Sequence, residues 1–444
     1  AIILAAGKGS RMNSNIPKPL HKIAGKTIIE HILHKINDAG YDESIIVLNK
    51  ENENFFRFLK ENNSLLTFAF QENQLGTGDA VKEGVRDIDL SSVENVLVVF
   101  GDTPLLSSKT LRNLININNK NDITVLGFET NNPGRYGRLL VKDGELLKIV
   151  EALDANEDEQ KITLCNGGIM IIKADRLKDN LDLLKNNNAK KEFILSDLIE
   201  INNNTGGVSS FLECDYEETI GIDSKKGLSK AEKIFQNKLR NKFMEAGTTI
   251  LDPETVFFSH DTIIGKDVEI GSNIVFGENV LIKDNVVIKS FCSIENSIIN
   301  NGAAIGPFAR LRNNVDIGPD SKIGNFVEVK NSKLKQEVKV SHLSYIGDAE
   351  IDEFVNIGAG TITCNYDGFN KHKTTIGKRA FIGSNSSLIA PINIGDDANV
   401  AAGSSISKDV DSNSLAITRA PIRFISNWSK KFKKNNKEEE QCVE

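Results

Sequence analysis

The chain has 444 residues, 39% hydrophobic and 26% charged, with a formal net charge of −7. That length allows two or three domains with proper cores, and that balance excludes wholesale disorder. The acidic net charge argues against a nucleic-acid scaffold, and no apolar run approaches the ~20 residues of a membrane span.

The five cysteines lie far apart without a CxxC pair, which fits a reducing cytoplasm. The chain begins at Ala1, inside what reads as a strand, so a start methionine and a few residues are expected ahead of it. No signal peptide is expected there.

Residues 1–222 alternate buried strands with helical stretches. The runs Ile2–Ala6, Ser44–Leu48 and Val96–Phe100 are continuously apolar, as strands covered on both faces should be. A helix is predicted between them at Thr27–Ala39. Such an open α/β sheet binds ligands at the carboxyl ends of its strands.

After the first strand comes Gly7-Lys8-Gly9-Ser10-Arg11-Met12, with Lys18 a short loop away. A dinucleotide fingerprint would need glycine at Met12, and a Walker loop around Gly25-Lys26-Thr27 would need glycine at Leu20. What remains is a glycine turn rich in backbone N–H groups with cations beside it. That can hold a triphosphate, and it can equally be structural. Asp102 follows the strand ending at Phe100. A carboxylate at a strand's carboxyl end suits Mg²⁺, which takes one or two carboxylates and completes its shell with substrate oxygens. A helix cap or a turn aspartate is the plainer alternative.

Leu228, Ala231, Phe235, Leu239 and Phe243 then mark one face of a helix. Soon after Gly247 a different period begins. An aliphatic residue returns every sixth position from Ile264 through Ile270, Phe276, Ile282 and Ile288 to Ile294, and after a break at Ile305, Leu311, Ile317, Ile323 and Val329. It returns at Ile351 and Ile357, then runs from Ile376 through Ile382, Leu388, Ile394 and Val400 to Ile406. Six is the length of one flat side of a triangular parallel β-helix.

Four residues after the leads sit second inward residues: Val268, Ile274, Val280, Val286, Cys292, Ala380, Ala398 and Ser404. Cys292 is therefore expected to pack. Glycine often follows the lead, as at Gly265, Gly271, Gly318 and Gly383, which suits turns needing an unhindered backbone. Hexapeptide coils serve mainly acyltransferases and wind left-handed. That hand is the class's own, since general crossover rules would give the opposite one.

His342, one of six histidines, falls in Ser341-His342-Leu343-Ser344-Tyr345, where the frame is interrupted. Acyl transfer is helped by a base near neutral pKa, although a lone loop histidine is ordinarily a surface residue. The frame breaks again between Ile357 and Ile376, so Cys364–Lys373 should leave the coil as a loop, with Cys364 packing. The expected domains are 1–222 and 247–429, joined by a linker helix at 223–246 and followed by a flexible tail at 430–444.

Leu4-Ala5-Ala6-Gly7-Lys8-Gly9-Ser10-Arg11-Met12 with Lys18-Pro19-Leu20 resembles the signature of sugar-1-phosphate nucleotidyltransferases, as do Gln74–Gly78 and Phe100–Asp102. Together with Gly306–Arg312, Gly324–Glu328 and Gly358–Gly368, nearly the whole chain resembles a bacterial bifunctional family: N-acetylglucosamine-1-phosphate uridyltransferase and glucosamine-1-phosphate N-acetyltransferase. The resemblance implies an α/β, Rossmann-like nucleotidyltransferase domain followed by a left-handed parallel β-helix. It implies a cytoplasmic homotrimer that uses Mg²⁺, with acetyl-CoA and UTP as co-substrates, and makes UDP-N-acetylglucosamine for cell-wall and lipopolysaccharide precursors.

By that resemblance Leu4, Ala5, Ala6 and Gly7 pass under the UTP, Lys18 binds its phosphates, and Gln71, Gly76 and Thr77 contact the uracil side. Gly137, Glu151 and Asn166 hold N-acetylglucosamine 1-phosphate, and Asp102 with Asp223 ligates the metal. Phe100 stands where the family usually has Tyr, and Asp223 where it usually has Asn. In the second site His342 is the base, Arg312 and Lys330 bind the sugar phosphate, and Tyr345 and Asn356 position the sugar. Ala359, Asn365, Tyr366, Ser384, Ala402 and Arg419 take acetyl-CoA, with contacts supplied across neighbouring subunits.

Two rivals stay open at this point. One is a single-activity nucleotidyltransferase with a regulatory β-helix, as in glucose-1-phosphate adenylyltransferases. The other is a non-catalytic assembly protein that kept both folds. His342 with the Asn365-Tyr366 loop speaks against the first, and Asp102 with Lys18 against the second.

Overall fold

The computed structural model describes residues 1–430 except Asp42, Asn62 and Lys190, so the tail expected at 430–444 lies, beyond Lys430, outside the described residues. The chain divides into two compact units. Ala1–Lys242 with Phe258–His260 form the first, and Phe243–Phe257 with the chain from Asp261 onward form the second.

In the first unit the strands are β1 (Ile2–Leu4), β2 (Lys22–Ile23), β3 (Lys26–Thr27), β4 (Ser44–Leu48), β5 (Leu66–Phe70), β6 (Asn95–Phe100), β7 (Ile123–Glu129), β8 (Arg138–Lys142), β9 (Glu145–Val150), β10 (Leu164–Lys173) and β11 (Ser209–Glu213). The main sheet has the order β11-β7-β10-β6-β1-β4-β5, with the β8–β9 hairpin attached to β10. β1 pairs in parallel with both β4 and β6, whereas β10 runs antiparallel to β6 and β7.

The helices are α1 (Ile28–Asp38), α2 (Glu53–Glu61), α3 (Thr77–Val85), α4 (Ser108–Asn118), α5 (Ala174–Leu181), α6 (Leu198–Asn204) and α7 (Lys225–Glu245). Alternation along the strands sends neighbouring residues to opposite layers. Ile3, Leu97 and Val99 join the core under α1 and α4, while Ile2, Val96 and Val98 join the one under α3, α5 and α6. The predicted helix at 27–39 starts at a capping box, in which the Thr27 side chain accepts from Glu30 N–H and the Glu30 carboxylate accepts from Thr27 N–H. On α7, Ala231 and Phe243 are buried, and Leu228, Phe235 and Leu239 pack partly buried against the core.

The second unit is a parallel β-helix with three faces of ten, nine and eight described strands. The hexapeptide leads all point inward and are buried, Ile264 excepted, as are all the second inward residues. Each such aliphatic contributes about 1.5–3 kcal/mol of burial.

The breaks before Ile305 and before Ile351 turn out to be single-residue shortenings of a side. Ile282 pairs with Ile299 and Ile299 with Ile317, so Ile299 fills the rung between Ile294 and Ile305. Leu334 and Ile351 do the same on either side of His342, with Val340 and Ile346 holding the rungs between them. The coil is therefore continuous through His342, which ends the strand Lys339–His342 and does not sit in an interruption.

Gly265, Gly271, Gly318 and Gly383 do stand where a Cβ would be crowded, and none of the four takes a positive φ. That conformation falls to Asp267, Asn273, Asn279 and Asn285 at φ 53–58°, since short polar side chains tolerate it best among non-glycine residues. Gly265 and Gly383 serve close approach instead, because a Cβ there would meet Asp284 Oδ1 or Ala402 N of the next coil at 2.4 Å. The expected loop starts one residue later than Cys364, which still pairs with Ile389 in the coil, and it is closed by an antiparallel bridge between Tyr366 and Lys371.

Candidate active sites

In the first unit the chemistry gathers where β1 and β6 end. Gly101 N–H donates to Leu4 O at 2.9 Å, locking the two strand ends together. A Cβ on Gly101 would sit 3.0 Å from that same oxygen, so the residue before Asp102 must be small. A short 3-10 turn at Lys18–Leu20 brings Lys18 in, and its Nζ lies 2.5 Å from Asp102 Oδ2.

Two cavities meet at Asp102. One, of about 260 Å³, is lined by Ala5, Gly7, Lys18, Gln71 and Gly76, among others. The other, of about 290 Å³, is lined by Gly137, Glu151 and Asn166 with Tyr136 and Ser196. Thr77, Phe100, Asp102 and Glu192 border both. The Gln71 side-chain amide donates to Gly76 O at 3.0 Å and to Asp79 at 2.8 Å, fixing the turn that opens α3. Asn166 donates its N–H to Gly137 O at 2.8 Å, and its side-chain oxygen accepts from Gly168 N–H at 2.8 Å. Gly168, at φ 79°, leaves room for the Phe100 ring, which a Cβ there would strike at 2.3 Å.

Asp223 lines neither cavity. It stands at their rim because Ile222 N–H donates to Asp102 O at 2.9 Å. Its carboxylate is 2.5 Å from Arg11 Nη1. Among the described residues no cluster of three His, Cys, Asp or Glu could hold a metal unaided. Two neighbouring carboxylates, each facing a single cation, still fit Mg²⁺, which borrows its remaining ligands from phosphate oxygens.

Sequence reasoning missed Arg11 as the partner of Asp223. It also missed Gln74, whose side-chain amide donates to Ala6 O at 2.7 Å under the glycine turn. Asp197, beside Ser196, has its carboxyl pushed up to about 6 by burial, with Glu151, Glu200 and Asp154 adding repulsion.

In the second unit the site is an edge. Val340, Ile357, Ile382 and Val400 are successive rungs of one face. Two residues beyond each stand His342, Ala359, Ser384 and Ala402, a column rising roughly 14 Å at ~4.8 Å per coil. Arg419 reaches the same column, its Cδ 4.0 Å from where a Gly403 Cβ would lie.

The His342 ring is exposed, and its Nδ1 is 2.6 Å from Asn325 Oδ1. An amide oxygen only accepts, so in the neutral ring this bond favours the tautomer with the proton on Nδ1 and the lone pair on Nε2. Around the corner, Arg312, Lys330 and Gly347 are successive rungs of the next face. Tyr345 folds over Gly347, where a Cβ would meet its hydroxyl at 2.5 Å. Arg312 Nε is held by Glu328 at 2.6 Å, and the buried Lys330 ammonium lies 3.8 Å from Asp348. Asn356 stands on the face that carries His342, one coil on, where it pairs with Lys339 and Phe381.

Lys371 was not anticipated. Lys330 lies close enough that its hydrogen bond and charge pull the Lys371 pKa down, a repulsion that an anion would relieve. The loop itself is tied by Asp367, which accepts from Asn370 N–H at 2.7 Å, Phe369 N–H at 2.8 Å and the His372 ring at 2.7 Å. These bonds hold its carboxyl far below the usual range. Within one chain Asn365 bonds Asp348 near the Lys330 cluster rather than joining the column, and Tyr366 donates to Gly368 O at 2.6 Å.

Residues 1–166 match the MobA-like NTP transferase domain, residues 296–331 the bacterial transferase hexapeptide repeats, and residues 373–408 the hexapeptide repeat of succinyl-transferase. The chain is 48% identical to the bifunctional protein GlmU of Rhizobium rhizogenes, covering 95% of this chain and 93% of that one. It is 46% identical to the GlmU of a Ruegeria species, over 94% and 93%. With the GlmU of Zymomonas mobilis it shares 41% identity over 98% of both chains.

Proposed function

Because the chain belongs to the bifunctional GlmU family, we propose how its residues divide the two reactions. The enzyme N-acetylates glucosamine 1-phosphate with acetyl-CoA, then transfers UMP from UTP to N-acetylglucosamine 1-phosphate, releasing pyrophosphate.

In the acetyl transfer, His342 Nε2 takes a proton from the sugar amine. The amine nitrogen forms a bond to the thioester carbonyl carbon, the C–S bond breaks, and the CoA thiolate leaves to be protonated. Asn325 keeps the ring in the tautomer that can accept. Arg312, Lys330 and Lys371 hold the sugar phosphate, Tyr345 and Asn356 orient the sugar, and the small residues of the column leave a strip of backbone for the pantetheine arm. Asn365 and Tyr366 take their acetyl-CoA contacts from a neighbouring subunit of a homotrimer.

In the uridyl transfer, the glycine turn, Lys18 and Arg11 hold the triphosphate, and Gln71, Gly76 and Thr77 hold the uracil side. Gly137, Glu151 and Asn166 present the sugar phosphate, whose oxygen bonds to the α-phosphorus while the bond to pyrophosphate breaks. Mg²⁺ held by Asp102 and Asp223 would neutralise phosphate charge as the reaction proceeds. The placement is cytoplasmic.

The observation that supports this reading is that Asp102 lines both cavities, so that one carboxylate could face a ligand in each. Incubation with acetyl-CoA, glucosamine 1-phosphate and UTP should release both free thiol and pyrophosphate. A second mixture supplies N-acetylglucosamine 1-phosphate and UTP directly: pyrophosphate from it without thiol from the first would leave a uridyltransferase with a regulatory coil, and no product from either would leave an assembly protein.

A further inference from the structure

We propose that Thr77 is a positioning residue that couples the two cavities of the first unit, so that nucleotide and sugar phosphate each tighten binding of the other. This rests on the assignment above of which cavity takes which ligand.

The segment 192–196 is strapped across the turn that opens α3. Phe193 N–H donates to Leu75 O at 2.7 Å, Gly78 N–H donates to Phe193 O at 2.8 Å, and Leu195 N–H donates to Thr77 Oγ1 at 3.0 Å. The approach is close enough that a Cβ on Gly76 would lie 2.5 Å from Phe193 O, and Gly76 itself sits at φ 118°. Both facts demand glycine there.

The same segment reaches the sugar side. Ser196, next along, donates its hydroxyl to Glu151 Oε1 at 3.0 Å. A continuous path therefore runs from the nucleotide wall at Gly76–Thr77, through Leu195 and Ser196, to Glu151. Thr77 and Glu192 border both cavities. Segments more than a hundred residues apart in sequence are held together here, and Thr77 Oγ1 supplies the one side-chain bond among the three. A ligand that fixes the turn orders the strap, and the second ligand then meets a wall whose ordering cost is already met. Linkage makes the effect reciprocal.

The test is calorimetry on the full chain. The Kd of N-acetylglucosamine 1-phosphate is measured alone and with saturating α,β-methylene-UTP and Mg²⁺, and the ratio is taken within each variant. That ratio cancels any direct loss of a uracil contact in Thr77 variants. The wild type should show a ratio of roughly 5–150. Thr77→Val lacks the acceptor and should bring the ratio near unity, and Thr77→Ser should restore it. Ser196→Ala cuts the path at its sugar end and should also lower the ratio, which decides the matter should Thr77→Val fold poorly. The inference is overturned by a wild type that binds both ligands independently, or by Thr77→Val and Ser196→Ala retaining the wild-type ratio. If the wild type binds neither ligand, the cavity assignment falls as well.

Discussion

The two units reach a binding site by opposite routes. In the sheet unit the residues proposed for the site come from places far apart in sequence. Lys18, Asp102, Glu151 and Asn166 meet only because strand ends converge. In the β-helix unit the site is a column of residues two places past each inward aliphatic, and one repeated rule supplies His342, Ala359, Ser384 and Ala402. Convergence makes the first site sensitive to the whole sheet, while repetition makes the second a local property of three or four coils.

The largest expected effect lies on the column. His342→Ala should depress acetyl transfer by roughly 10²–10⁴-fold, the range for a lost general base. The loss should shrink as pH rises, because more of the amine is then neutral without help. Unchanged turnover with a raised sugar KM would make His342 a binding residue instead.

Next comes packing. Ile346→Ala empties a fully buried rung of the coil and should cost about 2–5 kcal/mol by denaturant unfolding of the β-helix transition. Uridyl transfer should survive at concentrations of denaturant where acetyl transfer is already lost. Simultaneous loss of both would show that the units are not independently stable.

Asn325→Ala should be milder. Losing one oriented hydrogen bond costs about 0.5–1.5 kcal/mol, so acetyl transfer should fall by up to about tenfold. An effect as large as that of His342→Ala would mean that Asn325 touches substrate.

The smallest effect is a pH dependence in the sheet unit. The Asp197 carboxyl is raised to about 6 by burial and by its acidic neighbours. The folded state therefore holds its proton more tightly than the unfolded chain, whose carboxyl titrates near 4. Stability from this group is full below that value and is lost as pH rises through about 6. Asp197→Asn should flatten that part of the stability profile, and an unchanged slope would contradict the assignment.

Legibility in the sequence followed the same division. The six-residue period located the inward rungs of the coil directly, yet it could not distinguish a broken coil from a shortened side. Ile299, Leu334 and Ile351 sit one place early, and only pairing across coils shows that they keep the rung. The glycines were read as needing an unhindered backbone, but that the next coil is what crowds them is invisible in a linear sequence.

In the sheet unit the apolar runs gave β1, β4 and β6, whereas the antiparallel β10, with its own apolar run Ile169–Ile172, was overlooked together with its attached hairpin. Candidate residues known by motif fell where strand ends meet. Arg11 and Gln74 lay inside quoted motifs without a role, since their partners Asp223 and Ala6 are distant in the chain. Lys371 could have been suspected as a cation in a predicted loop, but its pairing with Lys330 depends on a fold-back that sequence does not show.

The central claim is that one chain carries two separate sites, and one substitution tests it most directly. In Asp102→Ala, free thiol and pyrophosphate are followed in the same reaction mixture, with folding confirmed by circular dichroism. Pyrophosphate release should fall at least about 10²-fold, since phosphate charge loses its organising carboxylate. Thiol release should stay within about twofold of the wild type, the spread expected for a remote surface change. A folded variant that loses both products together would contradict the account.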